Sequence, residues 1–344
     1  MSFESQQQIK KPSNDKLKFH KEEEITSTID NIDEENNWEE KNEKELQEAR
    51  EIFKGPLELV NKRYEDPNST LPNTEQLKTF KEHNEEVLRL CIDRGIEKGF
   101  SKKELKILEI SAILHDLNKG DKPEDKKAKI PNYTLVAHGE MAASEIKNIL
   151  NDYPEILNEI LGDSYTEKEK EETTSIIENT IRSHMGPHPG FMGVILETVN
   201  KQLKEMGEEE IKHPYPNNQI AETLLAVDMN SLAGVKGREK VLAIRSVVPF
   251  FQKQDEDLCN EYKKYNINLT MGEAALLSGF DSAEQARDML KNQDDKEWIN
   301  QTLEDSKDND YFYKEEKINY QTAIAKRKEF EDAQKIKELR EKME

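Results

Sequence analysis

The chain has 344 residues, 34% hydrophobic and 36% charged, with 72 Asp and Glu against 51 Lys and Arg and a net charge of −21. That surplus of acid repels a phosphate backbone, and with no Lys/Arg-rich run carrying interleaved aromatics, nucleic acid is excluded as the expected partner. Cys91 and Cys259 lie too far apart in sequence for a metal or redox pair, and no apolar run approaches the roughly 20 residues that cross a bilayer, so a soluble cytoplasmic protein without membrane association is expected.

Residues 1–37, with Gln6-Gln7-Gln8, Lys10-Lys11-Pro12 and then a dense acidic run, have too little apolar content to offset chain entropy and read as a flexible tail. A helical pattern starts near Trp38, carries Leu46, Ala49, Ile52 and Phe53, and meets an interruption at Gly55-Pro56. After the turn cluster from Asp66-Pro67 to Pro72-Asn73, a long helix is expected from Thr74, with Leu77, Phe80, Val87, Leu88 and Cys91 on its apolar side and His83 within it. Ser101 with Glu104 forms a capping box for the next helix. Its residues Leu105, Leu108, Ile110, Ile113, Leu114 and Leu117 cover more than half its girth, which marks it as central and buried. His115 and Asp116 fall near its C-terminal end.

A Lys/Asp-rich loop over 120–131 leads to a helix from about Val136 with His138 in its first turn. Further helices are expected at 154–161, at 167–184 behind a second capping box of Thr166 and Glu169, and at 192–206. The two prolines and two glycines of His184-Met185-Gly186-Pro187-His188-Pro189-Gly190 make a loop at a helix C-terminus. Ile220, Leu224, Leu225, Val227 and Leu232 then define a largely apolar helix with Asp228 in its middle. Beyond Pro249 the pattern gives two short helices, Met271 to Leu277 and one capped by Ser282 with Gln285, and a single helical run over 311–344 with a narrow stripe of Phe330, Ala333, Ile336, Leu339 and Met343. No long alternating stretch occurs, so the fold class is all-α. The domain reading is a tail over 1–37, a helical metal-binding domain over 38–255 and a charged helical extension over 256–344.

In chain order His83, His115, Asp116, His138, His184 and Asp228 supply imidazole nitrogens and carboxylate oxygens without thiolates, a donor set suited to Fe, Mn, Zn, Co or Ni. An aspartate deep in an apolar helix is costly unless it is paired or bound to a cation, and both Asp116 and Asp228 stand in such surroundings. His20, in the charged tail, and His213, before Pro214, read as ordinary surface or loop residues. Nucleophile-elbow, phosphate-loop and dinucleotide fingerprints are missing from the sequence.

The order His83, His115-Asp116, Asp228 resembles the HD superfamily of metal-dependent phosphohydrolases, with the signature H…HD…D on a helical bundle. The likeness covers about residues 75–235 and extends to Lys119, which is similar to the lysine of the family's His-Asp-x-x-Lys, and to His138-Gly139. With His138 and His184 added, the pattern is similar to the branch that binds two metals bridged by the motif aspartate. The two adjacent histidines and Gly-Tyr-Pro element of the branch that degrades cyclic dinucleotides are replaced here by His184-Met185-Gly186-Pro187-His188.

The resemblance implies an HD-domain bundle hydrolysing a phosphoester or phosphoanhydride of a nucleotide or another small phosphorylated substrate. It implies two divalent transition metals, Fe or Mn before Zn, Co, Ni or Mg. The first would lie on His83, His115, Asp116 and Asp228, and the second on Asp116, His138 and His184. Asp116 is the expected catalytic bridge. Lys119, also a candidate catalytic residue, Arg182 and His188 are candidate substrate contacts, while Lys236, Arg238 and Lys240 could bind a polyphosphate tail but are expected rather to cap their helix or answer nearby acids. Two alternatives stay open, an HD-fold signalling or interaction scaffold without catalysis and a di-iron oxygenase. A homo-oligomer or a protein partner through 311–344 is equally open.

Overall fold

The computed structural model describes residues 41–69, 74–122, 126–187, 191–247 and 249–341. The chain divides into two compact units, Met1–Glu48 and Ala49–Glu344. Of the first, residues 41–48 are helical and the expected tail over 1–37 lies outside the described residues.

In the second unit α1 runs over Lys54–Tyr64, α2 over Thr74–Glu97 and α3 over Lys102–Leu114. The break expected at Gly55-Pro56 is confined to Phe53, and Pro56 sits in the first turn of α1, where its missing N–H costs nothing. The capping box of Ser101 and Glu104 starts α3 as the sequence requires, and every residue from Leu105 to Leu114 is buried. Next come α4 (Tyr133–Asp152), α5 (Glu155–Leu161), α6 (Glu167–Ser183) and α7 (Phe191–Glu205). Because α4 begins at Tyr133 rather than Val136, His138 lies in its second turn, not its first.

The chain continues through α8 (Gln219–Ala233), α9 (Val235–Val247), α10 (Pro249–Lys263), α11 (Met271–Met289) and α12 (Gln293–Lys307). Two expectations are corrected here. Ser282 does not cap a helix: α11 is continuous, its capping box is Thr270 with Glu273, and the Ser282 hydroxyl donates to the Ser278 carbonyl one turn back. Residues 311–344 are not one helix either. An antiparallel hairpin, β1 (Asp310–Tyr313) and β2 (Glu316–Asn319), precedes α13 (Tyr320–Glu341). Tyr311, Tyr313 and Ile318 point into the core while Phe312 faces out, and Lys314 takes the positive φ that a two-residue turn demands. An alternation only four residues long is too short to stand out in the sequence. The hairpin apart, every regular element among the described residues is a helix.

The buried helix α3 has α2, α6 and α8 around it, and α4 packs on α6. On its other side α8 shares a core with the C-terminal elements, where Leu225, Ala226 and Met229 meet Leu276, Phe280, Leu303 and Tyr311. Phe330 of α13 stacks on Tyr262 with ring centroids 4.1 Å apart, whereas Ile336 and Leu339 further along are exposed.

Candidate metal centre

Four histidines reach the middle of the bundle, and in each the ring nitrogen Nδ1 is bonded away from it. His115 stands just beyond the last turn of α3 with Nδ1 2.7 Å from the Ala112 carbonyl, and His184 ends α6 in the same way with Nδ1 2.6 Å from the Ile181 carbonyl. His138 of α4 has Nδ1 at 3.0 Å from the Leu135 carbonyl. His83 of α2 has Nδ1 3.3 Å from the Ser231 hydroxyl, which itself donates to the Asp228 carbonyl at 2.8 Å. A carbonyl only accepts, and the Ser231 hydroxyl has its own proton on the Asp228 carbonyl, so these bonds place the proton of a neutral ring on Nδ1 and aim the bare Nε2 inward.

The inward nitrogens surround two carboxylates. Asp116 Oδ2 lies 3.7 Å from His83 Nε2 and 3.6 Å from His115 Nε2, while its Oδ1 lies 3.0 Å from His138 Nε2 and 3.8 Å from His184 Nε2. Asp228 Oδ1 is 3.1 Å from His83 Nε2 and 4.0 Å from His115 Nε2. Two buried groups of three thus have ligating atoms close enough to share an ion, His83, His115, Asp116 and Asp116, His138, His184. They meet only at Asp116.

The electrostatics favour a cation. Burial lowers the pKa of His115, and burial followed by the charges of His138 and His115 drives that of His184 down to about 3, so both rings are neutral at neutral pH. Burial alone would raise both carboxylates. Lys119 and, once protonated at low pH, His115 and His138 nevertheless hold Asp116 well below the usual range, as protonated His83, His115 and His184 hold Asp228. His138 Nε2 and His184 Nε2 approach to 3.1 Å, and two bare lone pairs at that distance repel unless a positive species lies between them. His115 Nε2 and Asp116 Oδ1 are buried with no hydrogen-bond partner, which is costly in a closed core and is relieved by a bound ion. The imidazole and carboxylate donors fit a transition metal.

The turn that carries the motif is clamped from outside. The Tyr64 hydroxyl donates to the Asp116 carbonyl at 3.0 Å. Asn118 Nδ2 donates to Asp121 and Glu145, both at 2.7 Å, and Arg63 of α1 binds the same two carboxylates. Sequence reading missed Tyr64, Arg63, Asn118, Glu145 and Ser231. The only local signal is the position of Asn118 within the motif segment, since the others arrive from distant parts of the chain.

Among the other candidates, Lys119 is at the centre, its ammonium 2.6 Å from Asp116 Oδ2 and 5.2 Å from the centroid of Phe80. Arg182 is engaged elsewhere, with Nε 2.7 Å from Glu140. His188 lies outside the described residues. Arg238 is buried and caps α8 by donating to the Leu232 carbonyl at 2.7 Å, while Lys240 faces Glu86 at 3.7 Å and Lys236 is exposed. His213 Nε2 donates to the Val136 carbonyl, 2.7 Å away, outside the cluster.

The fold and the site define a helical protein with a buried His/Asp cluster that could hold metal, an arrangement compatible with an HD-like fold. No family model matches the chain, and no curated protein or solved structure is significantly similar to it. No helix among the described residues is long and apolar enough to cross a membrane.

Proposed function

We propose that the protein is a metal-dependent phosphohydrolase of the HD type, acting on a nucleotide or another small phosphorylated compound. The observation that carries this reading is the division of Asp116, whose two oxygens face two different sets of imidazoles. His83, His115, Asp116 and Asp228 would hold one ion and Asp116, His138 and His184 the other, with Fe or Mn the best matched to the donors. Bound there, such a pair supplies Lewis acidity and an acidified water for attack on phosphorus.

The chain's own residues supply the rest. Tyr64 fixes the backbone of Asp116 and so the direction of both its oxygens. The outward bonds at Nδ1 hold the rings with Nε2 inward and raise their basicity as ligands. Lys119, part-exposed beside Asp116, places a point charge where a non-bridging phosphoryl oxygen would approach, and Phe80 limits its swing. The burial of His115, Asp116, His138 and His184 keeps bulk water from this inner face.

The test is elemental analysis of the purified protein beside Asp116→Ala, with hydrolysis of p-nitrophenyl phosphate and its bis ester followed on the same samples. About two ions per chain, as a bridging carboxylate requires, with metal and hydrolysis both lost in the variant, is the expected outcome. A wild-type protein that takes up no ion after reconstitution with Fe or Mn overturns it.

A further inference from the structure

We infer that Gly139 is the spacer that lets His138 and His184 share one cation, and so determines whether the centre holds two ions or one. The inference rests on the dinuclear reading above. Gly139 lies inside α4, where glycine is a poorer helix former than alanine, and its φ is not positive, so backbone conformation does not call for it. Space does. A Cβ at this position would stand 2.9 Å from His184 Cε1, 3.2 Å from His184 Nδ1 and 3.3 Å from the Ile181 carbonyl oxygen, which is the acceptor that fixes the His184 ring.

The ring has nowhere to retreat. It is fully buried, its Nδ1 is tied to Ile181, and its centroid lies 5.1 Å from that of His115 and 5.0 Å from that of His138. A methyl group at 139 must therefore either turn His184 out of place or push α4 away from α6, and each movement opens the 3.1 Å approach of His138 Nε2 to His184 Nε2. The other three side chains, His83, His115 and Asp228, come from α2, the turn after α3 and α8, and none is among the three atoms nearest to a Cβ at Gly139. Gly139 is a positioning residue for one half of the centre. Gly95 provides the contrast: a Cβ there would meet Leu105 Cδ1 at 2.8 Å, the free end of a flexible side chain.

The experiment titrates Mn²⁺ into metal-free wild type, Gly139→Ala and Gly95→Ala, counting ions per chain and recording electron paramagnetic resonance of the loaded proteins. Wild type and Gly95→Ala should each bind two ions and show a spin-coupled pair. In Gly139→Ala the second ion should bind about 10–100-fold more weakly, leaving the spectrum of an isolated ion while the first site keeps its affinity. Two ions with wild-type affinities in Gly139→Ala overturn this inference alone, and so does an equal loss in Gly95→Ala. A wild type that binds no Mn²⁺ overturns the functional reading and this inference together. A double-mutant cycle with His184→Ala, read by thermal melting of the metal-free proteins, covers the case in which Gly139→Ala folds poorly. Without the ring, alanine at 139 should be harmless or stabilising, and a penalty that persists there overturns the spacer role.

Discussion

The two halves of the centre are held in place by different physics. The half containing His83 and Asp228 stands on α2 and α8, and these helices are fastened at a distance by charge. Asp295 of α12, fully buried, receives Nε of Arg94 in α2 at 2.9 Å and Nζ of Lys98, just past the end of α2, at 2.7 Å, and Lys98 also donates to Thr223 of α8 at 3.0 Å. The half containing His138 and His184 depends on the close contact of α4 with α6, where the missing side chain of Gly139 leaves room for an imidazole. One half is therefore open to disruption from the C-terminal helices, the other from a single methyl group.

The largest effect expected from this contrast is that of Asp295→Ala, which leaves the half-buried Lys98 without its carboxylate and buried Arg94 with Glu97 alone. Loss of one partner from such a network costs about 3–5 kcal/mol, and denaturant unfolding should show it as a lower midpoint. The surviving folded protein should lose affinity at the His83 side first. An unchanged midpoint would break the comparison. Ser231→Ala comes next, since it removes the hydroxyl that meets His83 Nδ1. Metal titration should show the first site weakened about 10–100-fold and the His138/His184 side untouched.

Tyr64→Phe deletes the hydrogen bond to the Asp116 carbonyl, the one residue common to both halves. A stability loss of about 0.5–1.5 kcal/mol, read by thermal melting, should accompany a small weakening of both sites together, and a change at only one of them would show that Asp116 is not shared. The smallest effect belongs to Arg182→Ala. Its pairing with Glu140 is largely solvent-exposed, so stability should change by less than about 1 kcal/mol, and metal content should not change at all. A loss of metal there would draw Arg182 back into the centre.

Much of the centre could be read from the chain because its parts are chemically conspicuous. His83, His115, Asp116, His138, His184 and Asp228 are polar residues set in apolar helical surroundings, and the structure brings all six together. The capping boxes at Ser101 and Thr166 were legible because a cap is a local contact three residues long. Ser282 misled for the same reason: the motif was present, but the helix formers on either side of it carried α11 straight through. Tyr64, Ser231 and Asp295 could not be found this way, since each acts on a residue far away in sequence. Gly139 was visible next to His138, yet its purpose depends on a ring that arrives 45 positions later in the chain.

His115 and His184 both stand where a helix ends, α3 in one case and α6 in the other. A helix carries about half a negative elementary charge at that end, so two macrodipoles direct their negative poles at a cluster that already contains Asp116 and Asp228. Lys119 is the only ammonium bonded to either carboxylate among the described residues. Before it is loaded, such a field repels an anionic ligand as strongly as it attracts a cation. On the function proposed above, the order of assembly would thereby be imposed: metal first, phosphate second, with the ions reversing the sign of the site that the substrate would meet.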